Sequence, residues 1–238
     1  MNNEYTPMYD PQNLLATTIN GQLMLLMLCE KLTDIGVTID STNTDGISML
    51  YSEDIHEQVE EICRQWEGLT KMSLEAVEYT KVVRRDINNY LAFYEGGVKE
   101  KGMFLTNPPI DQSHDFVVIP KAIRAYYEHG TPIEEFITNH RQIYDFCASM
   151  KCSKDYTVHW NSEIQQHLNR YFVTRGGAYL YKSKDGKNMN HMLKDTAVQL
   201  FNDFYEAKWE DYKIDTRWYV SEVKKIINEL EPRQTSLF

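Results

Sequence analysis

The chain has 238 residues, 42% of them hydrophobic and 12% aromatic, enough for one large or two small cores. A net charge of -10 argues against a general nucleic-acid binder, yet residues 1–70 hold 2 of the 25 Lys+Arg and 12 of the 35 Asp+Glu, leaving 23 of each elsewhere, so the excess is N-terminal. The 4 cysteines lack C-x-x-C spacing, MNNEYTPMYD lacks the order of a signal peptide, and the longest apolar run, residues 23–29, falls far short of the roughly 20 residues that span a bilayer, so a reduced, intracellular, globular chain without a membrane span is expected.

In chain order, NLLATTINGQLMLLMLCEKLTDIG reads as a helix ending near Gly36, with Ile19, Leu23, Leu26, Met27 and Glu30 marking its turns. It leads into STNTDGISML, where Asn43, Asp45 and Gly46 form the turn of a hairpin between strand-like flanks. Next, SEDIHEQVEEICRQWEG repeats Ile55, Val59, Ile62 and Trp66 at helical spacing, with Glu53, Glu57, Glu60 and Glu61 mostly on a solvated opposite side. Three strand-like segments follow: YTKVVRR, NNYLAFYE and, beyond a turn at Gly96-Gly97, VKEKGMFLT. Together with the first seventy residues they are expected to form an α/β layer with antiparallel strands. From about Pro108 the helical stretches PKAIRAYYEHG, PIEEFITNHRQIYDFCASM and TRWYVSEVKKIINEL surround a second expected hairpin, RYFVTRGGAYLYKSKDG. No internal repeat or low-complexity segment is present.

The chemistry concentrates at Asp45. A carboxylate in a tight turn between paired strands is rigidly held and points off the sheet edge, which suits a hard divalent cation seeking oxygen ligands. Two-metal phosphoryl transfer needs carboxylates from at least two places in a chain, so Asp45 cannot serve alone. By residue type, Asn, Asp and Gly are also ordinary turn formers, and both readings stand. Likewise Tyr90 and Phe93 read as strand aromatics, and the basic strand residues as edge protection, as readily as they read as ligand contacts. His140, His159 and His167 have no ligand spacing with one another, and Cys147 and Cys152 read as ordinary thiols in a helical region.

The run INGQLMLLMLCEKLTDIGVTIDSTNTDGI resembles the helix and motif C hairpin of family B DNA polymerases, in the phage-type variant with N-T-D-G where most members have D-T-D-S. The resemblance continues through VVRRDINNYLAFYEGGVKEKGMF, similar to the palm strand with the K-x-Y element and the following Lys-Gly. It extends to YFVTRGGAYLYKSKDG, VQLFND and WYVSEVKKIINEL, similar to the phage polymerase thumb. It implies that Asp45 is the metal-binding motif C aspartate, sharing two Mg2+ ions with a partner chain. Asn43 stands at the companion acidic position, where an amide cannot be an obligatory charged ligand. Tyr90 matches the K-x-Y tyrosine that lies against primer-template DNA. Asn88 stands where Lys is common, so Asn88 and Asn89 are expected to hydrogen-bond DNA backbone or minor-groove acceptors. Lys101 matches a lysine near the primer terminus. With Lys81, Arg84, Arg85 and Lys99 against Asp86, Glu95 and Glu100, it makes a locally basic, phosphate-facing patch in which Arg85 and Lys99 are further candidate DNA contacts.

The implied fold is α+β: the C-terminal half of a polymerase palm over residues 1–107, a mainly helical thumb over 108–230, and a flexible tail over 231–238. No counterpart of the exonuclease domain, the motif A aspartate or the motif B lysine and tyrosine is present. The start, NNEYTPMYDPQ, resembles the sequence just beyond motif B, so the expectation is a separate C-terminal subunit needing an N-terminal polymerase portion. The tail EPRQTSLF places Gln234, Ser236, Leu237 and Phe238 in a pattern similar to the Q-x-x-L-F peptide that docks on the bacterial β sliding clamp. The expected role is DNA-directed DNA polymerisation during phage replication, in the cytoplasm of a bacterial host. The alternative is a non-catalytic DNA- or clamp-binding remnant of a split polymerase.

Overall fold

The computed structural model describes residues 5, 9–109, 114–184, 186–203 and 207–231, with the backbone alone at 188. It divides into two compact units, residues 1–78 and 79–238, and is α+β with antiparallel sheets throughout. No helix among the described residues is long and apolar enough to cross a membrane.

In the first unit, helix α1 (Pro11–Asp34) starts where the Asp10 carboxylate accepts the Asn13 N–H at 2.9 Å, with Pro11 in the first turn. It ends at Gly36, whose φ of 93° a side chain would resist. Strands β1 (Thr38–Thr42) and β2 (Ile47–Leu50) form the hairpin, and α2 (His56–Thr70) follows. Leu28, Leu32, Val37, Val59 and Trp66 make the core, and the Trp66 indole N–H donates to the Met24 carbonyl at 2.7 Å. Of the residues that mark the turns of α1, Met27 packs against this core, while Ile19, Leu23 and Leu26 are 45%, 56% and 52% exposed. LMLLMLC is apolar around most of the helix, so spacing alone fits more than one stripe.

In the second unit, β3 (Lys81–Asp86), β4 (Asn89–Tyr94) and β5 (Gly97–Lys101) form a meander turned at Gly96, φ 108°. This sheet is separate from the β1–β2 sheet, where a single layer was expected. Helices α3 (Val118–His129) and α4 (Ile133–Asn139) lead to β6 (Cys147–Lys151), β7 (Thr157–Trp160), β8 (Glu163–Gln165), β9 (Leu168–Ala178), β10 (Leu180–Lys184), β11 (Lys187–His191) and β12 (Val198–Leu200). Helix α5 (Thr216–Leu230) closes the unit. The strands form two sheets, ordered β12-β9-β6 and β11-β10-β7-β8. One core runs from Val83, Leu91 and Phe93 of the meander through Phe104, Ile123 and Phe172 to Tyr219 and Val223. At its centre the Tyr219 hydroxyl accepts the Val173 N–H at 2.9 Å and donates to the Phe146 carbonyl at 2.7 Å.

Three expectations for this half are corrected. The helix read through PIEEFITNHRQIYDFCASM stops at Asn139, and Cys147 and Ala148 instead lie buried on β6, paired with β9. RYFVTRGGAYLYKSKDG is not one hairpin: β9 runs straight through Gly176 and Gly177, and β10 pairs with β7 and β11 in the other sheet. A Cβ on Gly177 would lie 2.3 Å from the Val198 carbonyl oxygen, so this glycine permits close approach rather than a turn. Residues 108–230 are accordingly not mainly helical, with seven strands beside three α-helices and two short 3-10 helices among the described residues.

Candidate functional site

The hairpin sets Thr42 opposite Ile47, so Asn43 to Gly46 form the turn. The Asn43 N–H donates to the Gly46 carbonyl at 3.0 Å, and the Asn43 side-chain oxygen accepts the Asp45 N–H at 3.0 Å. Asn43 thus closes the turn from both backbone and side chain. Asp45 is exposed at the tip, and its carboxylate has no hydrogen-bond or ion-pair partner among the described residues. Among those residues no group of three or more His, Cys, Asp or Glu side chains gathers to hold a metal. One outward carboxylate is therefore what this hairpin offers a cation.

The second candidate lies on the β3-β4-β5 meander. Arg84, Tyr90 and Lys101 are direct cross-strand partners in one row, and Val82, Ala92 and Lys99 form the next row on the same face. The Lys101 ammonium sits 5.8 Å from the Tyr90 ring centre, and Lys99 is exposed beside them. The opposite face carries Val83, Leu91 and Phe93 into the core, and Lys81 joins that side by donating to the Tyr127 carbonyl at 3.1 Å. Tyr90, Lys99 and Lys101 are thus gathered on one surface.

Arg85 stands elsewhere, with its guanidinium 3.7 Å from the Glu229 carboxylate and 3.2 Å from the Met103 sulfur. A regular two-residue turn at Ile87–Asn88 would set Arg85 opposite Tyr90. The register shift between Arg84 and Asp86 puts Arg84 there instead. Sequence spacing gave no sign of that bulge, which sets Arg84 rather than Arg85 of the basic patch beside Tyr90.

Asn89 and Asn88 divide. Asn89 donates its amide to both Asp86 oxygens at 2.9 and 2.8 Å and accepts the Met103 N–H at 2.8 Å. Those bonds stitch the β3–β4 turn to the bend after β5, where Gly102 has φ 63° and lies too near Asn88 and Asn89 for any side chain. The Asn88 backbone N–H and the Asn89 amide pull the Asp86 carboxyl below its ordinary range. The Asn88 side chain is exposed at the turn.

Elsewhere the titratable groups serve structure. Asp145 takes the His140 ring Nε2 at 2.5 Å and the Lys121 ammonium at 2.7 Å. Burial pushes the Cys147 thiol up to about 12, leaving it a neutral core group. Gln234, Ser236, Leu237 and Phe238 lie outside the described residues.

No family model matches the chain, and no curated protein matches it. Among solved structures, the family B DNA polymerase from the hyperthermophilic archaeon Pyrobaculum calidifontis is similar, with a TM-score of 0.47 and 12% identity over 97% of this chain and 30% of that one. The chain therefore spans under a third of that polymerase's length, and at this distance the likeness transfers no residue's role.

Proposed function

We propose that this chain is the C-terminal palm-and-thumb portion of a phage-type family B DNA polymerase, acting in template-directed nucleotidyl transfer with an N-terminal portion that carries motifs A and B. The observation that carries the reading is the hairpin: the N-T-D-G residues hold one carboxylate, Asp45, outward at a fixed point, while Asn43 is occupied in closing the turn. That donor set fits part of an oxygen-ligated Mg2+ site and not a whole one, so Asp45 would hold the ions jointly with carboxylates from the N-terminal portion. The bound ions would supply charge neutralisation at the reacting phosphates.

The chain's own work is then positioning. Arg84, Lys99 and Lys101 give phosphate contacts, and the Tyr90 ring lies against the primer-template within the same face. Asn88 offers an uncharged donor and acceptor at the edge, and Asn89 holds the turn that presents it. The exposed stripe of Leu15, Ile19, Leu23 and Leu26 on α1 is apolar surface suited to burial against the N-terminal portion. Gln234, Ser236, Leu237 and Phe238 supply a clamp-docking tail, and the setting is the cytoplasm of a bacterial host.

The test is primer extension. The 238-residue chain with Mg2+ and nucleotides should extend no primer alone and should do so when mixed with the N-terminal portion. Robust extension by the chain alone would sink the reading. DNA binding without extension in the mixture favours the second reading, a non-catalytic DNA- or clamp-binding remnant.

A further inference from the structure

The sheet β11-β10-β7-β8 turns Val158 and Leu180 into the core, and the same face runs on past them. On it Lys182 stands opposite Val158 of β7 and Asn190 of β11, Lys184 follows two residues later, and Lys187 is the direct partner of Lys184. Alternation along the ladder therefore puts all three lysine side chains on the core-side face, at the end where the core stops. Met192, whose N–H donates to the Leu180 carbonyl at 2.8 Å, and Tyr156, two residues before Val158, belong to that face as well. Here lies a cavity of about 170 Å3, walled by Met150, Cys152, Ser153, Tyr156, Lys182 and Met192, and no carboxylate among the described residues lines it. Lys182 is half-buried with its ammonium 5.3 Å from the Tyr156 ring centre, and has no ion pair among the described residues. Lys121 and Arg124, half-buried in the same unit, are each neutralised, one by Asp145 and the other by Glu100 and Glu128. A partly desolvated ammonium gains from an anion the counter-charge that Lys182 lacks. Around it, residues 151–156 and 182–187 carry five lysines against two aspartates, in a chain of net charge -10.

We propose that this cavity binds a terminal phosphate, free or carried on the end of a nucleic acid, seated on the Lys182 ammonium and the Ser153 hydroxyl, with Lys184 and Lys187 drawing it in. A cavity of roughly 150 Å3 holds a benzene molecule, so this one has room for a phosphate group and not for a base with its sugar. A terminal phosphate carries about 1.5 to 2 negative charges at neutral pH, where a backbone diester carries a single charge, so clustered lysines without a lining carboxylate favour the terminal group. Lysine meets it as a compact point charge, and the hydroxyl adds a directional bond. The Ser153 hydroxyl reaches the Asp155 carboxylate only at 3.3 Å, a long bond that a phosphate oxygen replaces. The site shares no residue with the meander face or the Asp45 hairpin, and the inference does not depend on the polymerase reading.

The test uses the full chain in EDTA, without nucleotides or any N-terminal portion, so its outcome is separate from that of primer extension. Inorganic phosphate is titrated at about pH 8, where it is a dianion, and followed by phosphorus NMR line broadening at an ionic strength held constant with chloride. The expected result is saturable binding with a Kd on the order of 1 mM, weakened roughly tenfold or more by Lys182→Gln and retained in Lys182→Arg. Ser153→Ala, at an exposed position, gives a variant whose fold is not at risk and should weaken binding several-fold. Lys184→Gln with Lys187→Gln should flatten the salt dependence. Fluorescence anisotropy of a labelled oligothymidylate of about 12 nucleotides, with and without a 5′-phosphate, separates the two sources. Tighter binding of the phosphorylated strand, reversed by inorganic phosphate, assigns the site to a nucleic-acid end, and equal binding of both strands beside phosphate binding assigns it to free phosphate. Absence of both phosphate binding and a preference for the phosphorylated strand overturns the proposal, as does affinity unchanged in the Lys182→Gln and Ser153→Ala variants.

Discussion

The Asn43 side-chain oxygen accepts the Asp45 backbone N–H at 3.0 Å, so the amide at position 43 fixes the backbone that carries the Asp45 carboxylate. An Asp at position 43 keeps that acceptor and an Ala removes it. Asn43→Ala should cost about 1 kcal/mol of local stability, read as roughly fivefold faster hydrogen exchange at the Asp45 amide. Asn43→Asp should leave exchange nearly unchanged. Equal acceleration in both variants would show that the side-chain bond does not hold the turn.

The Arg84–Tyr90–Lys101 row leads to a salt titration. Lys99→Ala and Lys101→Ala should each weaken primer-template binding similarly for all sequences and reduce the slope of log affinity against log salt by about 1. Arg84→Gln should do the same, whereas Arg85→Gln, beside Glu229, should change the slope little. The reverse order of the two arginines would contradict the register argument.

Neighbouring glycines on β9 should differ sharply. A Cβ on Gly177 would meet the Val198 carbonyl oxygen at 2.3 Å and the Thr174 methyl at 2.6 Å, while at Gly176 it would reach only the Lys213 side chain at 3.9 Å. Gly177→Ala should destabilise the second unit by about 1–3 kcal/mol, seen as a lowered Tm, and Gly176→Ala should stay within about 0.5 kcal/mol.

Asp145 sets a pH dependence. Burial alone would raise its pKa, but the bonds from His140 and Lys121 outweigh it and hold the carboxyl below its ordinary range. A depressed folded-state pKa means stability fully present above the ordinary carboxylate value and lost as pH falls through the folded one. Asp145→Asn should therefore lower the melting temperature at neutral pH and shrink the loss of stability below about pH 4. A variant losing as much on acidification as the parent would assign that loss to other carboxylates.

What the sequence disclosed follows the reach of local chemistry. The Asn43–Gly46 turn, the Gly96 turn and the cap at Gly36 are legible because each depends on residue types within a few positions. Val59 and Trp66 were legible because the glutamates of α2 leave one apolar stripe. On α1 no polar residue marks the outer side through LMLLMLC, so the choice of Met24, Leu28 and Leu32 over Ile19 and Leu23 is made by what packs there. Cys147 and Ala148 become strand through pairing with β9, a partner twenty residues on and more that local propensity does not see. The bulge at Arg85 has no sequence mark, and it exchanges Arg84 for Arg85 beside Tyr90.

The most direct measurement is single-nucleotide incorporation by the chain combined with an N-terminal portion, comparing wild type with Asp45→Asn and Asn43→Asp. Removing one preorganised charge from a metal-bearing site costs about 3 kcal/mol or more of transition-state stabilisation, a loss of roughly a hundredfold or greater. The expected result is that loss for Asp45→Asn with primer-template affinity little changed, and retained incorporation for Asn43→Asp. Full incorporation by Asp45→Asn would contradict the assignment of the hairpin carboxylate, and with it the role proposed for this chain.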